Sequence, residues 1–287
     1  MSILLVFFDG VGIGPNNPKH NPISQFVNRP FPVEGISYDF LGGELVSTDA
    51  TLGLEGLPQS ATGQTSILTG INAPCHVGRH VNAFPTVRLR ELINQYSLLK
   101  QVKNQGGNPV FANAYHPGYF ARKHSRLSVS TWSWLAAGIS YNNLDDLHRG
   151  KAISHDLTNR FMNRFGFQVP VRRPEQSGRI LLAMLEQFDF IFFEYILTDV
   201  VGHKQDINAA NFRLQHIQDF MINLLHDFNS DQHTVVLTSD HGNMENLSTN
   251  THTRNPVPTI FWGKNANEMA RFVHDLTDIT PAILQFL

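Results

Sequence analysis

Three apolar runs that each end at an aspartate predict an α/β fold, a three-layer αβα sandwich around a central, mostly parallel sheet. Residues 3–8 lead to Asp9, residues 190–198 to Asp199 and residues 234–239 to Asp240. Branched and aromatic residues without polar alternation mark strands buried on both faces, as in a parallel sheet covered by helices. The second observation is that amphipathic helical stretches precede the second and third runs, the alternation expected of βαβ crossovers. In such sheets ligands bind beyond the carboxyl ends of the strands, where the three aspartates are expected. Carboxylates gathered within about 4 Å repel by roughly 4 kcal/mol per pair at an effective dielectric near 20, so a cation is expected among them.

The elements follow in chain order. After the first strand, Gly, Asn and Pro make residues 9–32 a loop. A short hairpin is expected over 37–48. Residues 60–70 read as a short helix closed by Gly70, with Ser60 at or near its N-terminus. Val87, Leu89, Leu92, Ile93, Leu98, Leu99 and Val102 have helical spacing over 86–104, and Gly106-Gly107 ends that helix. Residues 109–114 read as a strand. Residues 118–174 are irregular, with helices expected at 131–137 and 157–164, and are read as a small lid inserted in a single 1–287 domain. Helix 177–187 buries Ile180, Leu181, Met184 and Leu185 and delivers the second aspartate-tipped strand. Helix 207–228 delivers the third. Residues 259–262 form a further strand, and Thr280-Pro281 cap a final helix.

Composition narrows the function classes. A chain of 287 residues, 41% hydrophobic, can bury a substantial core. A net charge of -2 without a Lys/Arg run argues against nucleic acid or an anionic membrane as partner. A small-molecule partner is expected, and the protein is expected to be a monomer or homodimer. The single cysteine, Cys75, read as a loop or core thiol, excludes an intrachain disulfide and fits a reducing compartment. The apolar start lacks a basic flank and runs into Asp9, so it is a poor signal peptide, and no apolar stretch spans a bilayer. A cytoplasmic protein is expected.

The residues able to carry chemistry cluster in a few phrases. Asp240-His241 precedes Gly242-Asn243, where glycine permits a sharp turn and adjacent ligands can face two different metals. Asp199 and His203 fall on one face if the segment is helical. His252 opens the proline-stiffened 252–258 loop. Mixed Asp/His donors suit zinc or manganese better than magnesium or calcium. A nucleotide-binding reading of Gly10, Gly12 and Gly14 fails on spacing, on Pro15 and Pro18, and on Asp9 facing a pyrophosphate.

Together, Phe8-Asp9-Gly10, the 60–70 segment, Asp199-x-x-x-His203, Ser239-Asp240-His241-Gly242-Asn243 and the His252-Thr253-Arg254-Asn255-Pro256-Val257-Pro258 phrase resemble the alkaline phosphatase superfamily. Within it they are most similar to cofactor-independent phosphoglycerate mutases. Ser60, Thr62, Thr65 and Ser66 are all near the nucleophile's place. The superfamily's nucleophile lies ten residues before the glycine closing the helix, which implies Ser60, with Thr65 next. The resemblance implies one metal on Asp9, Ser60, Asp240 and His241 and a second on Asp199, His203 and His252, with Gln64 and Arg254 as substrate-contact candidates. Three carboxylates and a serine alkoxide balance two divalent cations, zinc or manganese, leaving room for a phosphate dianion. A helix N-terminus at Ser60 also suits a phosphoryl oxygen.

The chain departs from the mutase pattern in two places. About a hundred residues separate Gly70 from the helix at Ser177, too few for the large mutase cap but enough for a small lid, whose Arg122, Lys123, Arg126, Arg172 and Arg173 could meet an anion. Gln64 stands where the mutases carry a histidine. A metal-dependent phosphatase or phosphodiesterase acting on a small phosphorylated substrate is therefore expected, with a phosphoseryl intermediate on Ser60. A reduced phosphomutase and a non-catalytic metal-binding relative are the alternatives.

Overall fold

A computed structural model describes residues 1–121, 123 and 126–287. Six strands form one sheet in the order β2-β6-β5-β1-β4-β3: β1 (Ser2–Phe8), β2 (Glu44–Thr48), β3 (Pro109–Phe111), β4 (Phe190–Tyr195), β5 (His233–Thr238) and β6 (Val257–Gly263). Strands β3, β4, β1 and β5 run parallel, while β6 is antiparallel to both β5 and β2. Strand β1 thus lies between β4 and β5, with Phe8 opposite Tyr195 and Phe7 opposite Thr238.

Alternation along β1 divides the core. Ile3, Leu5 and Phe7 join the cluster formed with the helices Ser60–Thr69, Val87–Tyr96, Leu98–Asn104, Val129–Ala137, Ala266–Phe272 and Ile279–Phe286. Leu4, Val6 and Phe8 face the helices Pro174–Leu185, Leu197–Lys204 and Ile207–Asp227. The result is the three-layer αβα arrangement. Because every residue of β1, β4 and β5 is buried, their sequences need no polar face.

Several boundaries differ from the sequence expectation. The 37–48 hairpin is instead the single strand β2, paired with β6, in which Val46 opposes Thr259. The helix expected over 86–104 breaks at Ser97, whose hydroxyl pairs with Ser133 Oγ at 2.7 Å. Strand β3 stops at Phe111, and Asn113 and Ala114 make only isolated bridges to Ile153 and Asn142. The 157–164 helix shortens to Arg160–Arg164 because Leu157 and Asn159 take left-handed φ angles of 64° and 66°. Thr280 sits inside the last helix, donating to Ile67 O at 2.6 Å, and Asp278 takes the capping position. Cys75 is exposed on the short Ala73–Val77 helix.

The 118–174 segment is not uniform. Its Val129–Ala137 helix packs with Val87–Tyr96 and Leu98–Asn104 in the main core. The remainder gathers Leu147, Ala152, Met162 and Val169 around Ala114 in a small cluster of its own. Among the described residues, no helix is long and apolar enough to cross a membrane.

Candidate metal centre

The sheet brings six of the seven predicted metal-site residues to one end of β1, β4 and β5, and the turn after the Pro58–Gln59 approach adds Ser60. Asp9 directly follows β1, and Asp240 lies two residues beyond β5. Asp199 is not at a strand tip. Strand β4 ends at Tyr195, and Asp199 occupies the first turn of the Leu197–Lys204 helix, which places His203 one turn on along the same face. Their carboxylate and imidazole approach to 3.3 Å. Ser60 is the first residue of its helix, and Gly70 closes that helix in the left-handed region at φ 73°. Gly63 permits the close approach of that helix to the β5 end, since a Cβ there would lie 2.7 Å from Asp240 O.

Two overlapping donor groups result. Asp9, Asp240 and His241 offer ligand atoms within 4.8 Å of one another, as do Asp199, His241 and His252. Ser60 Oγ lies 3.0 Å from His241 Nε2, which is also 3.3 Å from Asp9 Oδ1 and 3.5 Å from Asp240 Oδ2. The His241 and His252 rings stack at 3.7 Å with an 11° tilt. His252 Nε2 lies 3.2 Å from His203 Nε2 and 3.6 Å from Asp199 Oδ1.

Backbone carbonyls fix the histidine tautomers. His252 Nδ1 faces Pro58 O at 2.9 Å and His203 Nδ1 faces Asn250 O at 2.8 Å. A carbonyl only accepts, so both Nδ1 atoms carry hydrogen and both Nε2 atoms carry lone pairs. In the neutral rings two lone pairs 3.2 Å apart repel unless a metal ion or a proton lies between or beside them. Asp9 Oδ1 is likewise buried without a hydrogen-bond partner. These residues fit divalent ions bound to carboxylate oxygen and imidazole nitrogen.

The electrostatics agree. Burial and the neighbouring carboxylates raise Asp9 well above the usual carboxylate range, and burial raises Asp240 despite the opposing pull of His241. Burial alone would lower His241, but Asp240, Asp9 and Asp199 override it and push the imidazole up to about 10. In the chain without metal, a proton on His241 compensates part of the carboxylate charge. Burial and His241 hold His252 down at about 4.

The supporting residues were not legible beforehand. Asn243 Nδ2 donates to Asp199 Oδ1 at 2.6 Å. Glu245, fully buried, accepts from Gly12 N, Asn243 N, Thr253 Oγ1 and Asn255 Nδ2 at 2.9, 2.7, 2.5 and 3.0 Å. It ties the glycine loop after β1 to the loops bearing His241 and His252. Gln64 lines the cavity, but its amide donates to Asp240 Oδ2 at 3.2 Å and Asp9 Oδ2 at 3.4 Å. Arg254 is exposed and is not among the residues lining the cavity.

That cavity, of about 440 Å³, is bounded by Asp9, Ser60, Asp199 and His203 on one side. Phe84, Tyr115, Tyr119, Arg126, His155 and Glu194 are among the residues that complete it. Of the basic residues assigned to the lid, Arg126 reaches the cavity, whereas Arg172 donates to Ala152 O and Leu147 O. Arg173 sits at the N-cap of the Pro174–Leu185 helix, Lys123 is exposed, and Arg122 lies outside the described residues.

Burial raises Glu194 to about 7 although Ser130 donates to it at 2.9 Å. Its folded pKa exceeds the ordinary 4.5, so the associated stability is complete below about pH 4.5 and is lost as pH rises through about 7. Glu194→Gln removes that loss, which amounts to about 3 kcal/mol. Urea unfolding in chelator should show the variant gaining on the wild type between pH 5 and pH 8. An unchanged difference between the two would refute the assignment.

Residues 169–287 match the metalloenzyme superfamily model. A 2,3-bisphosphoglycerate-independent phosphoglycerate mutase from Desulforudis audaxviator is 30% identical over 125 residues, which is 40% of this chain and 25% of that protein. The chain thus spans about a quarter of the length of that relative. The PH0037 protein from Pyrococcus horikoshii superposes with a TM-score of 0.60 at 14% identity, covering 99% of this chain and 96% of that one. A cold-active alkaline phosphatase from Shewanella sp. superposes at 0.55 and 13% identity, covering 100% of both chains. The similarity to the metalloenzyme superfamily thus covers residues 169–287, on a chain whose fold resembles that of an alkaline phosphatase.

Proposed function

We propose that the chain is a two-metal-dependent phosphoryl-transfer enzyme that hydrolyses a phosphate mono- or diester through a phosphoseryl intermediate on Ser60. The observation that carries the reading is the position of Ser60 Oγ, at a helix N-terminus and 3.0 Å from His241 Nε2, within the cluster of Asp9 and Asp240. Asp9, Ser60, Asp240 and His241 would hold one ion and Asp199, His203 and His252 the other, with His241 close enough to border both groups. Zinc or manganese, when bound, would neutralise the carboxylates, favour the Ser60 alkoxide and offset charge on the phosphoryl oxygens.

Ser60 Oγ attacks phosphorus, forming the seryl O–P bond as the bond to the alcohol oxygen breaks, and the alcohol leaves with a proton. The positive end of the Ser60–Thr69 helix dipole would favour the anionic oxygens, with Thr62 N donating to Val81 O at 3.3 Å rather than to the substrate. Gln64 keeps the Asp9 and Asp240 carboxylates oriented. Water then cleaves the seryl O–P bond, releasing inorganic phosphate from a monoester. The 118–174 segment, read as a lid within a single 1–287 domain, contributes Tyr119, Arg126, Ser128 and His155 to the cavity.

A phosphomutase is the second reading, favoured by the mutase named among the relatives. There a hydroxyl of the same substrate, rather than water, would accept the phosphoryl group. The test is acid-quench labelling with a ³²P-phosphoester in the presence of zinc or manganese, followed by peptide mapping. Label is expected on Ser60 and absent from Ser60→Ala, with inorganic phosphate as product. Label on Thr65, or none during turnover, would remove Ser60 as nucleophile, and a rearranged ester as product would favour the mutase.

A further inference from the structure

Across the cavity from the metal-site residues lies a histidine that the proposed reaction does not use. His155 is only 6% exposed, and what remains exposed lines the cavity. Its ring is held edge-on between Tyr115, at 5.5 Å, and Phe161, at 6.5 Å. The loop carrying it is pinned by the buried Asp156 carboxylate, which accepts from Ser154 Oγ, Thr158 Oγ1 and the backbone N–H groups of Asn159 and Phe161.

A neighbouring amide determines which ring nitrogen carries hydrogen. Glu194 N can only donate, so the Asn113 atom it meets at 2.8 Å is Oδ1. Asn113 Nδ2 therefore donates both hydrogens, to Glu194 O at 2.7 Å and to His155 Nδ1 at 3.0 Å. His155 Nδ1 must accept, which puts the imidazole hydrogen on Nε2. Among the described residues no side chain takes that Nε2–H, and the Glu194 carbonyl beside the ring already accepts from Asn113 Nδ2. A second proton would have to enter at Nδ1 against the Asn113 donor, and burial holds the imidazole down at about 4.

Resting on the phosphoester reading above, we propose that His155 is a substrate-binding residue whose neutral Nε2–H donates to an uncharged oxygen, hydroxyl or carbonyl, on the alcohol part of the ester. The surroundings favour an uncharged group. Glu194 lines the same cavity and, when ionised, would repel a second anion, while Arg126 is the one Lys or Arg among the described lining residues. Phe84, Tyr115 and Tyr119 line the same cavity, and aromatic lining suits the C–H face of a polyol or sugar. Substrates of this class are hydroxylated phosphoesters rather than dianionic acids.

The experiment compares glycerol 2-phosphate, which carries hydroxyls, with phenyl phosphate, which has no acceptor outside its phosphoester group. His155→Phe should lower kcat/KM for glycerol 2-phosphate about tenfold, the loss of one hydrogen bond, and change phenyl phosphate less than about twofold. His155→Gln, which keeps an amide donor near the Nε2 position, should recover part of the loss. Equal effects on both esters, or none, would overturn the proposal. A second readout does not depend on turnover. In ¹H–¹⁵N spectra, the Nε2–H signal absent from His155→Phe should shift when glycerol 2-phosphate is added and stay in place with inorganic phosphate. No shift, or the same shift with both, overturns the binding role. A selective shift in a chain that hydrolyses neither ester would leave His155 as a ligand donor and sink the hydrolase reading instead.

Discussion

Replacing Asp240 with asparagine is expected to lower phosphoester turnover by about 10³-fold, the equivalent of roughly 4 kcal/mol of transition-state stabilisation. Asp240 is fully buried, approaches His241 Nε2 to 3.5 Å, and accepts from Gly10 N at 3.2 Å. An asparagine oxygen can keep the Gly10 bond, so the loop geometry survives while a charged donor is lost. The second consequence separates metal binding from folding. A divalent ion at 100 times its dissociation constant adds about 2.7 kcal/mol of stability, which at roughly 2–4 °C per kcal/mol raises Tm by about 5–10 °C. That shift should nearly vanish in Asp240→Asn, whereas the metal-free variant should stay close to wild type in stability, because relief of carboxylate repulsion offsets the Gln64 hydrogen bond that the new amide nitrogen cannot accept. Thermal melts with chelator, zinc and manganese, run beside turnover assays, read both effects. Retained turnover with an undiminished ion-dependent Tm shift would remove Asp240 from the centre.

Glu245→Ala is expected to be the most destabilising single substitution near the site, by about 3–5 kcal/mol. Truncation leaves Gly12 N, Asn243 N, Thr253 Oγ1 and Asn255 Nδ2 without their acceptor in a region closed to water. At roughly 2–4 °C per kcal/mol this corresponds to a Tm fall of about 6–20 °C. Glu245→Gln keeps the volume but turns an NH₂ group toward N–H donors, so it too should be destabilised. Because Asn243 orients Asp199 and Thr253 follows His252, affinity for the divalent ion should fall by about 10–100-fold in either variant. Denaturant unfolding and metal titration would check this, and a Gln variant as stable as wild type would contradict it.

The parts of the fold readable in the sequence were those with a strong local signature. Strands β1, β4 and β5 announce themselves because burial on both faces removes polar alternation, and Gly70 marks a helix end because its φ of 73° favours glycine. Strand β2 was misread as part of a hairpin because its partner, β6, lies some two hundred residues away and no turn chemistry joins them. The break at Ser97 depends on a hydroxyl supplied by Ser133, which no helical periodicity can show. The phrases containing Asp9, Ser60, Asp199, His203, Asp240, His241 and His252 pointed to residues that the fold gathers at one place. Glu194, His155 and Glu245 escaped notice for a common reason: their importance comes from burial and from partners distant in the chain. Arg254 belongs to the His252–Pro258 phrase, but the fold leaves it exposed at the surface.

The central position of β1 bears on how such a chain can be divided. The segment matching the superfamily, residues 169–287, contains β4, β5 and β6 but not β1. Strands β4 and β5 never touch, because β1 lies between them. Excised at that boundary, the segment would have two unpaired apolar strand edges where the first eight residues belong, and such edges invite aggregation. The matched segment is therefore not by itself a complete sheet. A split protein could function only if its N-terminal piece inserted β1 into the gap, so complementation by that strand would restore Asp9 and the integrity of the sheet in a single event.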